Sequence, residues 1–332
     1  MTGTPPTAAA GSIRGFRLAV IVGWVLLSAA AGVYAHWKAV PAGIAAPLAL
    51  AFLLEYPFYL LPGFAGARDR FMALGRVRAA SLLAASAVAP WLIYALFTGH
   101  FSFGAFATLG GIALVTCFWY MVFPAHPVAD LAYLCLVAAL IIFKAFGGIY
   151  PRPIPRLDVS VLGHLMLIRV MALSITAIRG HAPADYRFLP NASEWLAGLR
   201  WFAILLPVTG AAYWALGLVS LQPHPMNAIL IVGTFLGILW VTALSEEFIF
   251  RGLLQPWIEK WTSSPIVALV ATSLLFGSIH LGFRGPFPNW RFSIAAAILG
   301  LFCGLARRQT GGIQAGMVAH ALTVAMWKAF LQ

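Results

Sequence analysis

The chain has 332 residues, of which 62% are hydrophobic and only 9% are charged, and its formal net charge is +12. So low a charged fraction excludes an ordinary soluble globular domain and indicates a polytopic membrane protein. Most basic residues lie in short segments beside apolar runs, as in membrane proteins generally. No basic and aromatic surface is evident, so nucleic-acid binding is not expected.

The apolar runs predict an all-α bundle of transmembrane helices. A helix needs about 20 apolar residues to cross the bilayer, and on this measure the chain has roughly ten or eleven spans. A transmembrane β-barrel would show short alternating segments instead. The predicted spans lie near residues 17–37, 42–63, 79–98, 101–123, 129–149, 158–178, 200–221, 227–250, 265–283, 291–308 and 312–331.

The basic residues also predict an orientation. Arg14 and Arg17 precede the first span, and four arginines lie between the second and third spans. Because cytoplasmic loops are enriched in Lys and Arg, we expect the N-terminus in the cytoplasm. Arg307 and Arg308 agree with this orientation, whereas the arginines of the proline-rich loop at residues 147–156 oppose it.

The longest polar stretch after the N-terminus runs from about residue 179 to 194 and predicts a division of the chain there. Residues 1–185 are expected to form a bundle of about six spans with no assigned function. Residues 186–332 are expected to form a second bundle of about five spans. The first bundle carries scattered polar residues inside its spans, to which we assign no chemistry: Glu55, Lys144, His164 and Arg169.

Two adjacent acids, Glu246 and Glu247, stand inside an apolar segment of a chain with only nine acidic residues. A charged side chain at the bilayer centre costs about 2.5–3.5 kcal/mol on insertion scales, so such residues are usually functional. Glu247 precedes Arg251 by four residues, the favoured order for a helical ion pair. Glu246 is rotated by about 100° and is left for proton chemistry. The plainer reading is a set of unrelated polar groups, each satisfied by neighbouring helices.

Two histidines lie in later spans. Glu246 and His280 are equally distant along the chain from Ser263, which lies in a turn signal. In an antiparallel helical hairpin both would lie about 25 Å from the turn, so we expect them at the same depth, where they could share and activate a water. His320 has small apolar neighbours and is expected to face the bundle interior, where it could donate to an oxyanion.

These residues resemble the motifs of the CPBP family of intramembrane proteases, which includes the CAAX prenyl endopeptidase. The family's EExxxR motif is present as Glu246, Glu247 and Arg251, and its FxxxH motif as Phe276 and His280. The resemblance covers the chain from about position 200 to its C-terminal end. It implies a hydrolase of the glutamate type that cleaves a membrane-associated protein or peptide.

The third family motif is incomplete. It begins at His320, but Val324 stands where the family often has Asn, and Thr323 is the neighbouring candidate to replace it. The resemblance implies that Glu246 and His280 activate water and that His320 stabilises the tetrahedral oxyanion. It also implies a multi-pass protein of a bacterial cytoplasmic membrane. Neither the substrate, prenylated or not, nor the oligomeric state follows from it.

Metal-free catalysis is the expectation, because the chain has no HExxH motif. The Glu and His residues nevertheless leave zinc open as a rival. Two other functions stay open. The intramembrane Glu, His and Arg would suit a transporter, although no inverted repeat is visible. A catalytically inactive scaffold or immunity protein of the same family is the other alternative, supported by Val324.

Overall fold

A computed structural model describes residues 11–155, 157–180, 186–218, 228–283 and 285–330. Within these ranges the chain is helical and contains no strand, which confirms the all-α class. The chain divides into two compact units, Met1–His181 and Ala182–Gln332. The predicted boundary between residues 185 and 186 falls at the edge of a segment, 181–185, that lies outside the described residues.

Nine helices in the described ranges are long and apolar enough to cross a membrane. Two further predicted spans coincide with the shorter helices Pro127–Ile142 and Gln314–Phe330, of 16 and 17 residues. One helical run, Leu230–Thr262, is longer than expected at 33 residues. The chain is therefore an integral, multi-pass membrane protein, as predicted.

The first unit consists of antiparallel apolar helices joined by short connections. Their bounds are α1 (Ile13–Trp37), α2 (Ala42–Leu60), α3 (Ala65–Met72), α4 (Arg76–Phe97), α5 (Phe103–Val122), α6 (Pro127–Ile142), α7 (Phe146–Ile149) and α8 (Val161–Leu173), which continues as a π-helical turn over Ser174–Ile178. A 3-10 turn, Leu61–Gly63, follows α2. The helices α2, α4, α5 and α8 pack on one another.

A buried ion pair lies at the centre of the first unit. Arg169 and Glu55 are almost completely buried, and the guanidinium donates two hydrogen bonds to the carboxylate. Arg169 also donates to the Ser86 hydroxyl and carbonyl oxygens, at 3.0 and 2.8 Å. Of the four polar residues noted in these spans, these two therefore neutralise each other. His164 bonds locally, its Nδ1 lying 2.9 Å from the carbonyl oxygen of Ser160.

The second unit is built around α14, which packs on α9, α13 and α15. Its elements are α9 (Ala192–Ala215), α10 (Ala228–Gly237), a π-helical segment (Ile238–Ala243), α11 (Leu244–Glu247), a second π-helical segment (Phe248–Leu254), α12 (Gln255–Thr262), α13 (Pro265–Ser278), a 3-10 turn (Ile279–Gly282), α14 (Trp290–Thr310) and α15 (Gln314–Phe330).

The turn predicted around Ser263 is present. Ser263 ends α12 in the left-handed region, with φ +52°. The hydroxyl of Ser264 then caps α13 by accepting from the backbone N–H of Val267 at 3.3 Å, and Pro265 occupies the first turn. Pro is well suited there, because that position needs no N–H. The two flanking helices are thereby joined as the predicted hairpin.

Candidate active site

The acidic pair lies in a single α-helical turn between two π-helical segments. α11 (Leu244–Glu247) is preceded by Ile238–Ala243 and followed by Phe248–Leu254. π-Helical turns close i→i+5 hydrogen bonds and occur frequently at functional sites. They also alter the regular rise per residue that an α-helix maintains. Distances along this segment therefore depart from those of an uninterrupted α-helix.

Glu247 is fully buried and is held by two donors. Its Oε1 accepts from Arg251 Nη1 at 3.1 Å, as the four-residue spacing predicted, and from His320 Nδ1 at 2.9 Å. Arg251 also donates through Nη2 to the carbonyl oxygen of Gly300 at 2.5 Å. Gly300 lies on α14 and His320 on α15. Arg251 thus connects the helical run that contains the π-helical segments to α14, and Glu247 connects it to α15.

Glu246 takes no part in the ion pair with Arg251. Its side chain is 24% exposed, and its Oε2 atom is buried without a hydrogen-bond partner among the described residues. His320 Nε2 lies 3.7 Å from that oxygen, too far for a hydrogen bond. Because a carboxylate only accepts, the Nδ1 of His320 carries the proton given to Glu247. The second ring nitrogen therefore points to Glu246.

His280 lies in the 3-10 turn that ends the hairpin, where it is half-buried. Its Nδ1 donates to the carbonyl oxygen of Phe276 at 2.7 Å, which leaves Nε2 as the acceptor in the neutral ring. Within the described part of the chain no hydrogen bond joins His280 to Glu246. The expectation of equal depth assumed a regular α-helix, and the π-helical segment after Glu247 removes that assumption. A water shared by the two residues stays a prediction.

The ring of Phe276 is the common contact of the site. Its centroid lies 4.8 Å from that of His280 and 5.8 Å from that of His320, the latter nearly perpendicular at 88°. The Arg251 guanidinium lies over the same ring at 4.7 Å, within the range of a cation–π contact. Phe250 packs edge-on against it at 5.0 Å. Phe276 thus places both histidines around one side chain.

The residues of the incomplete third motif contribute no visible donor. Thr323 is buried, and its hydroxyl donates back to the carbonyl oxygen of Ala319 at 2.8 Å, so its proton is not available to a ligand. Val324 packs against the apolar cluster that contains Phe250 and Phe276. Neither side chain therefore substitutes for the missing amide of Asn in this conformation.

Glycines that the motif analysis did not single out allow the helices to approach. A Cβ added at Gly300 would lie 2.9 Å from Arg251 Nη2 and 3.2 Å from Phe276 Cδ1. A Cβ at Gly316 would lie 2.9 Å from Glu247 Oε2. Small residues permit such close approach of membrane helices. Their only sequence signal is a Gly inside a predicted span.

One group of side chains has the spacing of a metal site. Glu247, Cys303 and His320 are buried and offer ligand atoms within 4.8 Å of one another. Sequence reasoning did not place Cys303 at the site. The Glu247 oxygen Oε1 already accepts from Arg251 and His320, whereas Oε2 is buried without a hydrogen-bond partner among the described residues. A guanidinium at 3.1 Å from that oxygen opposes the binding of a further cation there.

Fold and site together define a multi-pass membrane protein with a Glu–His–Arg centre buried between its helices. Residues 228–326 match the family model of type II CAAX prenyl endopeptidases, Rce1-like. This part of the chain is therefore similar to the CAAX protease-like family, and the resemblance inferred from the motifs is confirmed. All three motifs lie inside the match, and residues 1–227 lie outside it. No curated protein and no solved structure matches the chain.

Proposed function

We propose that the chain is an intramembrane endopeptidase that hydrolyses a peptide bond of a membrane-associated protein or peptide. The observation that carries the proposal is the unequal state of the two adjacent glutamates. Oε1 of Glu247 accepts from Arg251, which neutralises the carboxylate, whereas no described residue donates a hydrogen bond to Glu246. The Oε2 atom of each glutamate is buried without a hydrogen-bond partner among those residues. A carboxylate that accepts no hydrogen bond from the described residues, inside a membrane, suits a proton acceptor.

In this proposal Glu246 accepts the proton of the attacking water. His280 accepts a hydrogen bond from the same water through Nε2, because its Nδ1 donates to the carbonyl oxygen of Phe276. Both side chains are partly exposed, as groups that receive a water and a substrate must be. The attack would convert the scissile carbonyl into a tetrahedral oxyanion. Its collapse would break the C–N bond, with the proton held by Glu246 passing to the leaving amine.

His320 is proposed to stabilise that oxyanion. Its Nδ1 donates to the buried carboxylate of Glu247, which fixes the orientation of the ring, as a buried carboxylate does for a catalytic histidine. With both nitrogens protonated, the ring would donate through Nε2, on the side of Glu246. This arrangement supports an oxyanion donor that does not depend on the Asn absent at Val324. One donor of this kind contributes about 2.7–4 kcal/mol in a well-studied hydrolase.

The reaction is proposed to proceed without a metal. Of the candidate ligands Glu247, Cys303 and His320, the carboxylate is already paired with the Arg251 guanidinium, whose positive charge opposes a further cation. If so, prolonged dialysis against a chelator should leave both cleavage rate and metal content unchanged. Restoration of a lost activity by Zn²⁺, with metal bound in a one-to-one ratio, would instead assign the reaction to a zinc site.

The experiment that tests the function compares new peptide termini in membranes of cells producing wild-type protein, Glu246→Gln or Glu259→Gln. Glu259 is the control, because it is a partly exposed carboxylate further along the same helical run, where it lies 4.0 Å from Arg307 Nη1. Termini present with wild-type protein and with Glu259→Gln, but lost with Glu246→Gln, would establish the protease. Identical sets from three folded proteins would overturn it and favour a transporter or an inactive scaffold.

A further inference from the structure

The first unit contains an open cavity of about 610 Å³ where the ends of several helices meet. α4 begins at Arg76, α5 ends at Val122, and the π-helical end of α8 stops at Ile178, so all three ends lie at one face of the unit. The wall combines two arginines and a tyrosine with apolar side chains. Its volume is within the range of small-molecule sites.

The two arginines of the cavity differ in their ion pairing. Arg179 is neutralised by Asp130, to which its Nε and Nη2 donate at 2.6 and 2.5 Å. Arg76 is exposed and donates through Nη2 to the carbonyl oxygen of Tyr120 at 2.9 Å. No carboxylate in the described ranges forms an ion pair with Arg76. The cavity therefore has one positive charge that no side chain within those ranges compensates.

Tyr120 provides a second, independent observation. Its side chain lines the cavity and is 4% exposed, and its hydroxyl has no hydrogen-bond partner among the described residues. Asp130 is its electrostatic neighbour and competes for the hydroxyl proton, although both carboxylate oxygens of Asp130 already accept from Arg179. A buried hydroxyl without a partner carries a desolvation cost of about 1–3 kcal/mol. A ligand with an acceptor oxygen would remove that cost.

The face that holds the cavity is the basic face of the first unit. α1 and α2 form one antiparallel pair. The backbone N–H of Gly66 donates to the carbonyl oxygen of Gly11, so before α4 begins the chain is again at the side where α1 starts. The ends at this side carry these arginines: Arg14, Arg17, Arg68, Arg70, Arg76, Arg78 and Arg179. Basic enrichment marks the cytoplasmic leaflet, which is also rich in anionic lipids.

We propose that this cavity binds the headgroup phosphate of an anionic membrane phospholipid. The Arg76 guanidinium and the Tyr120 hydroxyl donate to the phosphate oxygens, as charged and neutral hydrogen-bond donors. The apolar lining, including Met121 and Phe123, contacts the glycerol backbone and the first acyl carbons. This lining favours a lipid over free phosphate, since an inorganic ion would leave it uncovered. The site is separate from the proposed peptidase centre and does not depend on it.

The test uses the purified full-length chain in a neutral detergent. Dioleoyl-phosphatidylglycerol, dioleoyl-phosphatidylcholine and inorganic phosphate are added in turn, and binding is measured by native mass spectrometry and by the shift of thermal unfolding. We expect phosphatidylglycerol to be retained and to raise the unfolding temperature. Phosphatidylcholine and millimolar phosphate should do neither. An equal response to inorganic phosphate would overturn the lipid assignment, and displacement of the lipid by an acidic peptide would point to a protein partner instead.

Three variants test whether the lipid binds at Arg76 and Tyr120. Arg76→Gln should weaken phosphatidylglycerol binding about tenfold or more, the usual effect of losing one charge-assisted hydrogen bond. Tyr120→Phe, which keeps the ring, should weaken it several-fold. Arg78→Gln, an exposed arginine two residues away that does not line the cavity, should bind as wild type. Equal losses in Arg76→Gln and Arg78→Gln would overturn the site and indicate diffuse attraction to the basic face.

Discussion

The two adjacent glutamates differ in the side chains that they contact. Glu247 is buried together with the charge that neutralises it, and it fixes the ring of His320. Glu246 has no such partner among the described residues and keeps part of its surface open. The four-residue spacing to Arg251 was enough to predict which glutamate is paired. The contact of Glu247 with His320 was not predictable, since it depends on how α15 packs against α11.

Arg251 is predicted to be irreplaceable even by Lys. Its guanidinium donates to Glu247 Oε1 and to the Gly300 carbonyl oxygen, and an ammonium cannot reproduce this planar, forked geometry. Removing one partner of a buried ion pair costs about 3–5 kcal/mol. We expect Arg251→Met to unfold at a much lower temperature in detergent, with Arg251→Lys intermediate.

Arg308→Met is the control, because this exposed arginine lies at the end of α14. It should leave the unfolding temperature unchanged. Wild-type stability of Arg251→Met would show that Glu247 does not need its ion pair.

At the scale of elements, the site depends on helices that approach at glycines. The sequence predicted where these helices lie, because the length of an apolar run and the residues of the turn at Ser263 can be read from neighbouring positions in the chain. The π-helical segments on either side of α11 were not predictable, since no local pattern marks them. The second of these segments lies between Glu246 and the turn, and it is the reason that Glu246 and His280 need not lie level, although both are equally distant from Ser263 along the chain.

Gly300→Ala is predicted to damage the site. The new Cβ would lie 2.9 Å from Arg251 Nη2 and 3.3 Å from the Cα of Ser273, and backbone cannot move aside as a flexible side chain can. Overpacking of this kind costs about 1–3 kcal/mol. A fall in unfolding temperature and in cleavage rate should follow.

The matched control is Gly210→Ala on α9, where nothing lies within 4 Å of the added Cβ. It should be neutral or slightly stabilising, since Ala is the better helix former. Equal behaviour of Gly300→Ala and Gly210→Ala would mean that α14 does not need close contact at Gly300.

At the scale of the whole molecule, each unit has its own buried ion pair. The first unit holds Arg169 with Glu55, and the second holds Arg251 with Glu247. Composition alone predicted the membrane-spanning helical class, because only 9% of the residues are charged. It did not predict the partners of the charged side chains, since these pairings join residues as far apart as 114 positions.

The ion pair of the first unit is predicted to be structural. Arg169→Met would leave Glu55 buried without its partner and should cost about 3–5 kcal/mol. The double variant Arg169→Met with Glu55→Gln should recover much of the loss, because a neutral amide replaces the unpaired carboxylate. Thermal unfolding of both proteins measures this coupling. An unchanged deficit in the double variant would show that the Arg169 bonds to Ser86 matter more than the ion pair.

The most direct test of the peptidase account is the hydrolysis of a purified substrate in ¹⁸O-labelled water. The substrate is one identified by the termini that depend on Glu246, and it is mixed with reconstituted wild-type protein, Glu246→Gln or Glu259→Gln. The account predicts one ¹⁸O atom in the new carboxylate and a rate at least about 100-fold lower for Glu246→Gln, with Glu259→Gln at the wild-type rate. Cleavage by folded Glu246→Gln at the wild-type rate would contradict it.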